Sequence, residues 1–377
     1  MTTSEAPPRS DAEPVSRLTG PKPAGKVVKE WLSPGKIGGI YVLLLLIVIF
    51  SIWVPDTFPE WATARQILNS NAISAIAALT LIIPLSAGVF DISVPYTMTL
   101  SGVLSTYAIV NSGWPVWAGI LFAMVAAVLV GVLNGVVVVV FKIDSLIGTL
   151  ATGFLIQSLV VWRTGSRNVS GPELGGTFRD IAQSQWLFDY TLPVFYALAV
   201  AIGVWYLMEH TATGRRIYAT GFNRDATRLA SVRTERIQFG ALIASSTLAG
   251  FAGVVLASNI GSGSSTAGVS YLLPAFAAVF LGATQLKNGR MNAWGTVIAV
   301  MLLGTLTTGL GLAKVDQWVQ QFATGVVLIA ALALTGYQVR KAGAGGGRAG
   351  VHHKPPAEGA GGDGSTPSPS GAASTTA

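Results

Sequence analysis

What most restricts this chain is a series of ten apolar runs with almost no charge inside them. They fall at about Gly38–Val54, Ala72–Val89, Pro95–Val110, Val116–Phe141, Ser145–Trp162, Thr191–Met208, Ile237–Ala257, Tyr271–Gln285, Asn292–Leu312 and Trp318–Tyr337. A helix needs about 20 apolar residues to cross a bilayer. Lipid admits only structures that satisfy their own backbone polar groups. Charged residues make up 11% of the chain, against roughly 25% in soluble domains. The expected fold is all-α: a polytopic membrane protein of about ten transmembrane helices, some of them broken.

Loop charge tests that count. With the amino terminus inside and the runs alternating, nineteen Lys and Arg lie inside and five outside, the five being Arg65, Arg163, Arg167, Arg179 and Lys314. Basic residues concentrate on the cytoplasmic side, so both termini are expected there. The net charge of +7 then reflects topology and contact with lipid, and no nucleic-acid partner is expected. Residues 1–36 are rich in Pro, Ser, Glu and Lys, and residues 339–377 in Gly, Ala, Ser and Pro. Both read as disordered cytoplasmic extensions of a membrane domain spanning 37–338. The late start of the first apolar run argues against a signal peptide.

Glu209 to Arg236 is the one large polar island in the second half. It carries Arg215, Arg216, Arg224, Arg228, Arg233 and Arg236, with Ile217, Tyr218, Leu229, Val232 and Ile237 interleaved. Read as short amphipathic helices, it would turn an apolar strip inward and a basic face outward, toward a soluble partner. The longest outside loop, Arg163 to Tyr190, is balanced in charge and reads either as a solvated cap or as a landing surface.

Two interruptions stand out. Pro84, Gly88, Asp91 and Pro95 break the stretch Leu81–Met98, and Gln285–Arg290 separates two later apolar pieces. Proline kinks or ends a helix, and irregular backbone at membrane depth belongs beside protein or a water-filled route. Asp91 either caps the next helix or lines that route. Asn134, a lone amide in an apolar helix, needs a partner in another helix or in a substrate. Ser74–Leu79 and Pro274–Val279 look alike at an offset of 200 residues, a hint of internal duplication. Gly131 and Gly135 form a GxxxG pattern suited to close helix packing.

No nucleotide-binding loop, metalloprotease motif or nucleophile elbow is present. No catalytic residues and no cofactor are expected. The absence of cysteine and the presence of only three histidines, two of them His352 and His353, argue against a metal site. Ionisable groups within the spans are nearly missing, unlike proton-coupled carriers. Energy is therefore expected from another polypeptide.

From about Ala72 to Leu334 the chain resembles the membrane-spanning permease subunit of ribose-type ABC importers. The resemblance rests on Ser86–Val94 around Asp91 and Ser93, on Val132–Gly135 with Ile147–Thr152, on Thr213–Ala226, and on Leu281–Thr284 with Trp294–Thr296. It implies no enzyme, but a subunit of the bacterial plasma membrane. Its partners would be a cytoplasmic ABC ATPase, an extracytoplasmic solute-binding protein and a second permease chain. The cargo would be a ribose-like monosaccharide, with nucleosides or branched-chain amino acids as the alternative and a secondary carrier as the rival class. It also implies that Gly214, Arg215, Tyr218, Gly221, Asn223, Ala226 and Arg228 couple to the ATPase. Asp91, Ser93, Asn134, Thr149 and Thr152 would lie on the pathway. Val89, Phe90, Pro95, Ala283 and Asn288 depart from the family's pattern along that route.

Overall fold

The computed structural model describes residues 34–286 and 289–346. Of the arm expected over 1–36 and the tail expected over 339–377, residues 1–33 and 347–377 lie outside the described residues, while 34–36 and 339–346 belong to helices. Thirteen α-helices are formed among the described residues, and the only β-structure is two isolated bridges, Val169 with Gly263 and Gln185 with Thr191. The helices are α1 (Pro34–Trp53), α2 (Trp61–Ser86), α3 (Val94–Val110), α4 (Val116–Gly135) and α5 (Ser145–Thr164). A short α6 (Thr177–Gln183) precedes α7 (Leu192–His210), α8 (Ala212–Phe222) and α9 (Arg224–Leu229). The chain closes with α10 (Thr234–Ile260), α11 (Leu272–Ala283), α12 (Ala293–Leu312) and α13 (Gln317–Gly346).

Each of the ten apolar runs lies on a helix. Six of these helices are long and apolar enough to cross a membrane: Trp61–Ser86, Val116–Val140, Ser145–Thr164, Leu192–His210, Thr234–Ile260 and Ala293–Leu312. Gly38–Trp53 and Ala267–Ala283 are shorter apolar helices, and α3 has 17 residues. The apolar stretch Val116–Val140 is completed by a π-helical turn, Val136–Val140, at the end of α4.

The sequence explains which helices are central. Between Ile73 and Ile83, α2 is an almost unbroken run of buried Ala, Ile and Leu, and α10 buries Ala, Gly and Ser along most of its length. Lipid offers little hydrophobic drive between helices, so close packing of small side chains carries association. α10 packs against α4, α3 and α2, while α12 packs against α11 and α2. Contact is at backbone level. A β-carbon on Gly253 would fall 2.1 Å from the Met98 carbonyl oxygen, and one on Gly131 would fall 2.6 Å from Ile243 Cα. The GxxxG pattern is therefore a packing device. Along α4, Gly119, Ala123, Ala127, Val130, Gly131 and Asn134 face inward at helical spacing. The opposite face exposes Leu121, Phe122, Val125 and Leu129, as a lipid-facing surface must.

Two ends of the bundle differ in chemistry. α8, α9, Lys142 and Arg290 mark a basic end. At the other, α6 closes over α10, with the Ser258 hydroxyl donating to the Phe178 carbonyl at 2.6 Å. There Arg163 lies over the Tyr107 ring, 4.0 Å from its centroid.

Candidate functional site

The chain leaves helical geometry between α2 and α3, over residues 87–93, and nearly every amide there has an identified partner. Ala87, Gly88 and Val89 amides donate back to the last turn of α2. The Phe90 amide donates to Ser145 Oγ and the Ile92 amide to Thr149 Oγ1, each at 3.0 Å. Gln238 Nε2 of α10 donates to the Ala87 carbonyl at 3.3 Å. Side chains of α5 and α10 thus replace the helical ladder that Pro84 and Pro95 interrupt. Gly88 supplies the left-handed turn, with φ +76°.

Asp91 is fully buried in this break. Its Oδ1 accepts from the Ser93 amide at 3.1 Å and the Ser93 hydroxyl at 2.6 Å. Asn134 Nδ2 of α4 donates to Ser93 Oγ at 2.7 Å. Asp91 Oδ2, Asn134 Oδ1 and the Ser245 hydroxyl of α10 are buried with no hydrogen-bond partner among the described residues. Four residues named from the sequence, Asp91, Ser93, Asn134 and Thr149, are therefore gathered at one break. Thr152 is one turn further along α5 and its hydroxyl bonds to the Gly148 carbonyl at 3.0 Å. All five are at most 2% exposed. Phe90 stacks on Phe276 of α11, ring centroids 6.5 Å apart. Asn288 lies outside the described residues.

α8 sits directly on this break, and α9 follows it beside α10. Thr211 caps α8, its Oγ1 accepting from the Gly214 amide at 3.0 Å. A β-carbon on Gly214 would lie 2.3 Å from the Leu207 carbonyl oxygen, so only glycine allows the sharp return from α7. One on Gly221 would lie 2.1 Å from the Ser86 carbonyl oxygen, so α8 meets the end of α2 backbone to backbone. Asn223 caps α9, its Oδ1 accepting from the Ala226 amide at 2.9 Å. The Tyr218 hydroxyl donates to the Met291 carbonyl at 2.7 Å, with Glu209 Oε1 at 3.5 Å. Burial first, and the Glu209 carboxylate second, push the Tyr218 phenol well above its ordinary value, so it stays a neutral donor.

The outer face carries Arg215, Arg216 and Arg228, all exposed. Arg224 and Arg228 approach Glu235 at 3.7 and 3.8 Å. The expected inward apolar strip is only partly formed. Ile217 is buried, but Leu229 is 88% and Phe222 91% exposed. α9 is a six-residue helix set off from α8 at Asn223, and it turns Leu229 away from the bundle. Neither apolar exposure was signalled by the arginine pattern, nor was the role of Gln238. A cleft of about 470 Å³ opens beside these helices, lined by Gly88, Lys142, Ser145, Arg224, Arg228 and Gln238 among others. It reaches the break from the basic end.

Known proteins resemble the chain along most of its length. Residues 63–332 match the family described as the permease component of branched-chain amino acid transport systems. The ribose import permease protein of Bacillus subtilis (strain 168) is 32% identical, over 79% of this chain and 92% of its own. That of Escherichia coli (strain K12) is 30% identical, over 81% and 94%. The L-arabinose ABC transporter permease protein of Azospirillum brasilense is 26% identical, over 90% and 97%. No solved structure matches the chain. With a family match over most of its length and ribose permeases at this level of identity, the chain belongs to the transport-system permease family, as a multi-pass membrane protein of the ribose-permease type.

Proposed function

We propose that the chain forms the translocation pathway of a bacterial ABC importer for a ribose-like monosaccharide, and that it is not itself an enzyme. A solute-binding protein delivers cargo to the end carrying α6. A separate ATPase docks on α8 and α9 at the cytoplasmic end. Ten helices cross the membrane with both termini inside, and a second permease chain completes the pathway. The carrying observation is the two-sidedness of α8: one side lies on the Ser86–Gly88 backbone, while the other presents Arg215, Arg216 and Phe222. Guanidinium groups favour charge-assisted bonds to a carboxylate-bearing surface, and an exposed Phe beside them fits an apolar pocket. Asp91, Ser93, Asn134, Thr149 and Thr152 set the shape of the break beneath, and a small movement of α8 repacks it. The sugar names of the relatives favour a monosaccharide. The family description keeps branched-chain amino acids as the second cargo.

The test is uptake into liposomes holding the chain with its ATPase and ATP inside, and binding protein outside. Pentose uptake is expected to need all three components and to resist competition by leucine. Uptake that survives without the ATPase and follows a proton or sodium gradient overturns the proposal. Competition by leucine alone reassigns the cargo.

A further inference from the structure

α8 touches a second break as well as the first. Between α11 and α12, Gly289 has φ +91°. Three residues on, Asn292 Oδ1 accepts from the Gly295 amide at 2.7 Å, while its Nδ2 donates to the Gly282 and Gln285 carbonyls at 3.1 Å each. The first break has the same plan. Gly88 is left-handed, and three residues on Asp91 receives the Ser93 amide at 3.1 Å. Each break is a left-handed glycine followed by an Asx side chain that organises the start of the next helix.

α8 reaches the first break through Gly221, whose Cα would lie 3.2 Å from a β-carbon on Gly88. It reaches the second through Tyr218, whose hydroxyl donates to the Met291 carbonyl at 2.7 Å. The Arg290 guanidinium lies over the same ring, 4.0 Å from its centroid. Residues 218 and 221 are three apart and so share a helix face. We infer that α8 is a yoke that displaces both breaks together, with Tyr218 a positioning residue that ties the second break to it. This rests on the reading of α8 as the segment an ATPase moves. Both attachments are made to main chain, so displacement passes without a flexible side chain on the receiving side. An aromatic ring fixed by a hydrogen bond and by a cation over its face has little rotamer freedom left to absorb motion.

The experiment measures ATP hydrolysed per solute imported, in liposomes holding the full chain with its ATPase and binding protein. Tyr218→Phe removes the hydroxyl and keeps the ring under Arg290. With hydrolysis normalised to the ATPase that co-purifies, uptake is expected to drop further than hydrolysis, so that the ratio rises about tenfold. Arg290→Gln, which leaves the Met291 carbonyl in place, carries the same test should the first variant assemble poorly. Its ratio is expected to rise about threefold. Uptake and hydrolysis falling together at a constant ratio, or a ratio equal to wild type in both variants, overturns the yoke. A wild-type chain that binds no ATPase removes the underlying reading, and the yoke with it. A normal wild type beside an unchanged ratio in both variants removes the yoke alone.

Discussion

At the scale of single residues, the account turns on the contact from Asn134 to Ser93 and on to Asp91. A buried carboxylate inside a membrane protein is costly unless it is hydrogen-bonded, and here its Oδ1 takes both donors of Ser93. Asn134 orients that hydroxyl from across the α3–α4 packing. Asn134→Leu is expected to lower the apparent unfolding midpoint of the detergent-solubilised protein, with a loss of about 1–3 kcal/mol from the orphaned polar groups. A midpoint equal to wild type would mean that Ser93 holds Asp91 unaided. The need of Asn134 for a partner was legible in the sequence, because an amide stands alone among valines and leucines. That the partner is Ser93 was not legible, since it depends on how α4 and α3 meet 41 residues apart.

At the scale of elements, helix positions were the most legible part. Continuous apolar runs bounded by Pro, Gly and charge placed every long helix, while the Thr211 cap on α8 emerged only in the structure. The breaks were legible as interruptions at Pro84, Gly88 and Pro95. What fills their backbone valences was not, because Ser145, Thr149 and Gln238 come from remote helices. The orientation of Leu229 was missed for a related reason: in a six-residue helix the residue type does not fix which face meets the bundle, and that is set by how α8 and α10 hold its ends. Asn223→Ala should lose about 1 kcal/mol of local stability, seen as faster hydrogen exchange of the Ala226–Leu229 amides with exchange in α10 unchanged. Slowed or equal exchange would show that Asn223 acts as something other than a cap.

At the scale of the whole molecule, the described residues up to Val339 form a bundle with apolar flanks and chemically unlike ends. α4 and α5 turn Phe122, Leu129, Leu155 and Trp162 outward, surfaces for lipid or for a second copy. Among the described residues, the exposed arginines of α8 and α9 gather at one end with the cleft that leads to the first break. If that end faces the cytoplasm, an ATPase has a surface to grip. If it faces out, nothing inside the cell can reach the breaks. The chain contains no cysteine, so one introduced thiol reports its own location. Phe222→Cys at the corner of α8, 91% exposed in the native side chain, should be labelled by a membrane-impermeant maleimide in inverted membrane vesicles and not in intact cells, with protection when the ATPase is bound. Labelling of intact cells would contradict the account at its centre.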